Sequence, residues 1–224
     1  MRLAATLSLT GHEGVQSPSP LQAYPPGVEL FQQGEPAEKV YLIHRGLVKL
    51  VRCEENGQEM IVGLRREGWF LGAAAVILGG PSLISATTVT RSHFSEISAE
   101  QFRHRLKNDN SFSWQIHELH SAEILSQTIR FAQLANLGAR RRLEHLLWEL
   151  VTEQEDLSRK TDIKLDLCLK HWELAQLLAI TPIHLSRLLK QLENDRLILR
   201  SKGWLIIHSL DNLAQSQRGP RQAA

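Results

Sequence analysis

A segment near the C-terminus carries hydrogen-bond donors at helical spacing. Leucines recur every three or four residues from Leu185 to Leu192, which places them on one stripe of a helix. An arginine on the opposite face could donate two hydrogen bonds to a guanine in the major groove of DNA. That face carries Ile183, His184, Ser186, Arg187, Lys190 and Gln191.

The residues before this helix predict how it begins and what it packs on. Thr181 is a good N-cap acceptor, and Pro182 suits the first helical position because its missing N–H would be unpaired there. Lys170–Leu178 predicts a shorter helix, joined to the second by a tight turn at Ala179-Ile180. The pattern is that of a helix-turn-helix.

Two apolar runs after the second helix predict a β-hairpin. Leu197–Arg200 and Trp204–Ile207 flank the turn residues Ser201-Lys202-Gly203, so helix, turn, helix and hairpin together form a winged helix. Arg140–Glu153 is predicted to be a further helix, and Thr152–Thr161 a loop. An αα-hairpin that only packs is the alternative. It would explain the leucines but not the cationic free face.

The N-terminal half has a different sequence pattern, in which short strand-like runs are separated by turn residues. Asn56-Gly57 is the strongest turn signal, because both residues tolerate the positive φ of a tight primed hairpin turn. We expect an antiparallel β-roll of the jelly-roll type, in a chain of the α+β class. The predicted strands are Val28–Phe31, Lys39–His44, Leu47–Arg52, Glu59–Leu64, Ala86–Val89 and His93–Ile97.

A long helix is predicted between the two halves. Ser111–Asn136 contains no Pro or Gly, and its apolar residues fall on more than one face, so a second copy of the helix is the economical partner. A helix buried wholly within one chain is the alternative. Leu137-Gly138 predicts its end. The residues expected to pair two copies are Leu119, Leu125, Ile129 and Ala132.

Composition agrees with a folded chain of two domains. The 224 residues are 42% hydrophobic and 22% charged, with a net charge of +2. We expect no transmembrane segment, no signal peptide and a cytoplasmic location. We predict flexible tails at 1–20 and 214–224, a β-roll domain at 21–110, the long helix at 111–137 and the winged helix at 138–213.

The order of β-roll, long helix and winged helix resembles the Crp/Fnr superfamily of bacterial transcription regulators, from about Ala23 to Leu213. The resemblance implies a homodimer whose two recognition helices enter successive major grooves of a palindromic site, with RNA polymerase as a further partner. The stretches that carry it are 24–27, 30–37, 40–43, 46–50, 68–72, 173–178 and 181–187.

By position, the resemblance makes Arg187 the base-reading arginine, and it places Thr181 and His184 where phosphate or base edges are touched. Many members carry an Arg-Glu pair where this chain has Pro182-Ile183, so the familiar operator sequence is not expected. Lys190 and Lys202 are candidate phosphate contacts.

The residues by which family members hold a cyclic nucleotide are replaced. The turn that carries a ribose-binding glutamate reads Gly72-Ala73-Ala74, and the segment that carries a phosphate-binding arginine reads Ile84-Ser85-Ala86. A buried phosphate without a cation is costly, so we do not expect cyclic AMP to bind. We expect an apolar site that is packed shut.

The sequence gives less support for an iron–sulfur cluster, a haem or a catalytic metal site. Cys53 and Cys168 are too few for an iron–sulfur cluster, and haem stays open only because His44, His93 or Cys53 could ligate iron. A cupin-like metal enzyme needs an HxH pair, which residues 24–98 lack, and His117-Glu118-Leu119-His120 lacks one residue of the HExxH spacing. We therefore predict no catalytic residues, metal or cofactor. An interaction module with an inactive winged helix is the remaining alternative.

Overall fold

The computed structural model describes residues 20–152, 162–166, 168–201, 204–209 and 213. The chain divides into two compact units, Met1–Gln127 and Thr128–Ala224. The tails at 1–19 and 214–224, residues 153–161 of the predicted loop Thr152–Thr161, and Lys202 lie outside the described residues, whereas Thr152 belongs to a helix. No helix among the described residues is long and apolar enough to span a membrane.

Two antiparallel sheets build the first unit, and they confirm the predicted β-roll. One sheet has the order β1 (Gln22–Tyr24), β8 (Ser92–Ser98), β3 (Lys39–Arg45), β6 (Phe70–Leu71), and the other has β2 (Glu29–Phe31), β7 (Ser85–Thr88), β4 (Val48–Cys53), β5 (Glu59–Arg65). The very short β1 and β6 were not predicted, because two or three residues carry no measurable alternation.

The turn at Asn56-Gly57 joins β4 to β5, but it is not the predicted tight primed turn. Only Gly57 has a positive φ, of 78°. The Asn56 side chain instead accepts a hydrogen bond from the Gln58 amide at 2.9 Å, and the loop spans residues 54–58. An Asx-type hydrogen bond therefore replaces the second left-handed residue.

The first unit also contains α1 (Ala73–Leu78), α2 (Ala99–Asn108) and the greater part of α3 (Asn110–Asn136), whose last residues, from Thr128, belong to the second unit. Ser98 caps α2 by accepting from the Gln101 amide at 3.2 Å. Phe70 of β6, Phe102 of α2 and Phe112 of α3 form an aromatic cluster with ring centroids 5.4 to 5.9 Å apart. The first part of the predicted long helix is thus fixed to the β-roll of its own chain.

The second unit contains α4 (Ala139–Thr152), β9 (Ile163–Asp166), α5 (His171–Leu177), α6 (Pro182–Asn194), β10 (Ile198–Ser201) and β11 (Trp204–Ile207). The break between α3 and α4 falls at Leu137-Gly138, as predicted. The hairpin β10–β11 confirms the wing, and β9 adds an unpredicted third antiparallel strand beside β11. Lys164 of β9 lies over the ring of Trp204, 3.5 Å from its centroid.

Candidate functional site

Helix α6 begins where the sequence predicts. The Thr181 side-chain oxygen accepts a hydrogen bond from the His184 amide at 3.2 Å, and Pro182 occupies the first turn. The cap and the proline together fix the position of the first helical turn.

The two faces of α6 differ as its sequence requires. Leu185, Leu188, Leu189 and Leu192 are at most 5% exposed and anchor the helix to its unit. Arg187 is exposed and makes no hydrogen bond or ion pair with a residue that the structure describes. The predicted contact residues that share the exposed face are Thr181, Pro182, Ile183, His184, Ser186 and Lys190. We call these six residues, together with Arg187, the α6 surface.

Contacts around α6 hold this surface in place. Ser186 Oγ lies 3.3 Å from His171 Nε2 at the start of α5, and Ala179 forms the tight turn in the left-handed region, with φ of 50°. At the other end, Arg200 of β10 pairs with Glu193 at 2.6 Å. Contacts at both ends of α6 therefore fix the position of its exposed face, as a recognition surface requires.

Two arginines that the sequence analysis did not single out bind carbonyl groups at the ends of α5 and α3. Arg142 of α4 donates to Leu178 O at 2.9 Å and to Leu137 O at 2.7 Å. Arg130 of α3 donates to Leu177 O at 3.1 Å. These bonds satisfy carbonyls that the helix end leaves unpaired. They tie the helix-turn-helix to the end of the long helix.

The first unit contains a cavity of about 410 Å³. Gly72, Ala73, Ala74 and Ile84 line it, as predicted for the degenerate effector pocket. The expectation of a filled site is wrong, because glycine, which has no side chain, and alanine, with a single methyl group, supply too little volume to close the space. Ser85 is not in the lining, and its hydroxyl accepts from the Gln33 amide at 3.0 Å. Ala86, fully buried in β7, is also outside the lining.

A buried ion pair at this cavity was missed by sequence reasoning. Arg65 of β5 donates to Glu123 of α3, and its side chain is 10% exposed. Burial lowers the pKa of Arg65, whereas the Glu123 carboxylate raises it. Leu64 is buried in β5 as well as Ile61, Gly63 and Arg65, so the strand shows no clean alternation that would have marked Arg65 as facing inward.

His120 of α3 also lines the cavity. Burial and the neighbouring His117 lower the pKa of His120, which favours its neutral form. Among the described residues, no group of three or more His, Cys, Asp or Glu is arranged to hold a metal ion. His44 lies 2.7 Å from Ser95 Oγ, His93 lies on β8, and Cys53 is exposed at the end of β4.

Two family models match this chain in the order of its two units. The cyclic nucleotide-binding domain matches residues 21–109, and the Crp-like helix-turn-helix domain matches residues 141–216. The chain is a transcription regulator of the Crp/Fnr family. It is 29% identical over 195 residues to the global nitrogen regulator of Nostoc sp. strain PCC 7120, covering 83% of this chain and 87% of the relative. It is 25% identical over 190 residues to the CRP-like protein Clp of Xanthomonas euvesicatoria, covering 82% and 81%.

Solved structures of this fold resemble the regulator along most of its length. FixK2 from Bradyrhizobium japonicum superimposes with a TM-score of 0.75 at 17% identity, covering 88% of this chain and 96% of that one. The c-di-GMP responsive global regulator CLP of Xanthomonas campestris gives 0.72 at 24% identity, covering 85% and 94%. At these identities the likeness shows the shared fold. The regulator binds DNA and is not an enzyme.

The structure separates the four residues that were predicted to pair the regulator's long helices. Leu125 and Ala132 are exposed and Ile129 is partly buried. Leu119 is 3% exposed and packs in the core of its own unit. Leu119 is therefore a core residue of its own chain and does not belong to the predicted dimer contact.

Proposed function

We propose that the regulator acts as a homodimer on an inverted-repeat DNA site, with the α6 surface in the major groove. The observation that carries this is the exposed Arg187, which pairs with no residue that the structure describes and lies on a capped helix whose other face is anchored by leucines. A guanidinium there can donate to both O6 and N7 of a guanine. His184, Lys190 and Lys202 are proposed to add base or phosphate contacts.

The base sequence that it reads is proposed to differ from that of many relatives. Pro182 and Ile183 stand where the resemblance implies an Arg-Glu pair, and Ile183 is 69% exposed. An apolar side chain at this place can contact a thymine methyl group but cannot donate to a base edge.

The long helix is the proposed dimer contact. Ile124 and Phe131, seven residues apart on one helical stripe, are 67% and 74% exposed, and Leu125, Ile129 and Ala132 lie around them. Large exposed apolar side chains grouped in this way on one helix mark an association surface. We propose that an effector shifts these helices and the segment at Leu137-Gly138, changing the spacing of the two recognition helices.

The effector is proposed to be something other than a cyclic nucleotide. No carboxylate follows Gly72 to bind a ribose hydroxyl, and Ile84 stands before Ser85-Ala86 where the resemblance implies an arginine that binds the phosphate. Because the regulator acts on DNA, we place it in the cytoplasm, with RNA polymerase beside its site as a further partner.

Selection of bound sequences from random duplex DNA tests the proposal. We expect enrichment of inverted repeats whose half-sites are about 34–36 Å apart, one turn of the duplex. Equal, weak affinity for every duplex would contradict it. Titration calorimetry with cyclic AMP is expected to show no binding at millimolar concentration, and micromolar binding would contradict the proposed effector class.

A further inference from the structure

The lining of the sensor cavity is mostly apolar. Among the described lining residues, Arg65 and Glu123 form a charged pair, and Trp69, His120 and Ser82 carry other polar side-chain groups. Ser82 Oγ donates to Ile84 O at 2.7 Å and is thereby occupied. A volume of about 410 Å³ lies within the range of small-molecule sites.

The polypeptide makes room for the Arg65 guanidinium. A Cβ atom at Gly63 would lie 2.7 Å from Arg65 Nη1, so any other residue there would push the guanidinium aside. Arg65 Nη1 donates to Leu64 O at 2.6 Å, and the guanidinium carbon lies 4.9 Å from the centroid of the Trp69 ring. The cation is thus held in one place at the cavity wall.

Trp69 adds a hydrogen-bond donor without an acceptor. Its side chain lines the cavity and is 7% exposed, and its buried indole N–H has no hydrogen-bond partner among the described residues. A buried donor left unpaired lowers the free energy of unfolding. An acceptor that enters the cavity beside Arg65 would recover that free energy.

Glu123 can be displaced from Arg65 without leaving a buried charge. Its side chain is 28% exposed, whereas that of Arg65 is 10% exposed. It also accepts a hydrogen bond from Gln127 Nε2 at 2.8 Å, on the exposed side of α3. A ligand anion could therefore replace it on Arg65 while Glu123 moves to water.

We propose that the cavity binds a small organic acid with an apolar body, whose carboxylate takes the place of Glu123 on Arg65. The apolar body fills the space beside Ala73, Ala74 and Ile84. Because Arg65 lies on β5 and Glu123 on α3, binding breaks an ion pair that links the β-roll to the long helix. This step rests on the proposed function, in which the sensor unit controls the long helices.

Calorimetry on the full-length protein tests the ligand class. The probes are 3-phenylpropionate and octanoate, each compared with its primary amide, which has the same shape but no charge. We expect each acid to bind about tenfold or more tightly than its amide. Glu123→Gln removes the competitor and is expected to tighten acid binding only. Arg65→Gln is expected to abolish the preference for the acid.

The matched control is Arg52→Gln, which breaks the exposed pair of Arg52 and Glu54 outside the cavity lining and should leave all affinities unchanged. Thermal unfolding checks that each variant folds. The inference is overturned if neither acid binds at millimolar concentration, if the amides bind as well, or if Glu123→Gln leaves acid affinity unchanged. Acid binding without any change in DNA affinity would support the ligand class and overturn its coupling to DNA.

Discussion

Arg187 is the side chain on which the proposed recognition of DNA bases depends most. Removing its paired donors by Arg187→Ala should cost about 1–3 kcal/mol of discrimination at one base pair of each half-site. Competition binding against sites substituted at each position measures this. Lys190→Ala is the comparison, because loss of a phosphate contact weakens all sequences alike and reduces the salt slope by about one. Equal discrimination in wild type and Arg187→Ala would show that another residue reads the base.

Glu96 links the sensor unit's stability to pH. Burial opposes its ionisation, but hydrogen bonds from Lys39, at 2.7 Å, and from Tyr24 outweigh burial and hold the pKa of Glu96 below its usual value. Burial and the same carboxylate raise the pKa of Tyr24 to about 12. The stabilisation is complete above the unfolded-state pKa of about 4.3 and is lost as the pH falls through the lower folded-state value.

We therefore expect the free energy of unfolding of the wild type to fall more steeply on acidification than that of Glu96→Gln. Urea unfolding between neutral and acidic pH measures the difference. Glu55→Gln, in the exposed loop after β4, is the control and should keep the wild-type slope. Parallel curves for wild type and Glu96→Gln would show that Glu96 has no net stabilising charge contacts.

At the scale of helices and strands, the sequence predicts the features that depend on residues close together in the chain. Thr181 and Pro182 mark the start of α6, and β4 and β8 show in their alternation. Strand β9 was missed because its four residues gain their ladder only from β11, a partner some 40 positions later. The cavity was misjudged because alanine content does not reveal whether neighbouring elements close over it. Arg65 was missed because an inward-facing cation is recognised only once Glu123 lies beside it.

The Thr181 cap gives a test at this scale. Thr181→Ala removes the acceptor of the His184 amide and should destabilise the second unit by about 1 kcal/mol, with faster hydrogen exchange in the first turn of α6. Hydrogen-exchange mass spectrometry and thermal unfolding measure both effects. Thr181→Ser keeps the oxygen and is expected to behave like the wild type. An unchanged exchange rate in Thr181→Ala would mean that the packing of Leu185 alone defines the helix start.

At the scale of the whole molecule, α3 has two roles along its length. Phe112, Ile116 and Leu119 bury its first part in the sensor unit, whereas Ile124 and Phe131 leave an apolar stripe exposed further on. The exchange proposed at Glu123 takes place next to the point where the exposed stripe begins. A ligand at the cavity would therefore act on the helix between its anchored part and its proposed dimer contact.

The exposed stripe gives the test of assembly. Phe131→Asp would place a carboxylate in the proposed helix–helix contact, where desolvation of an unpaired charge opposes association. We expect light scattering to show a monomer at micromolar concentration. Affinity for an inverted-repeat site should fall by about 10²-fold or more, because the two half-sites are then bound independently. Phe131→Leu keeps an apolar side chain and should remain dimeric. A dimer that persists in Phe131→Asp with unchanged DNA affinity would place the contact on another surface and separate it from the helix that Glu123 tethers.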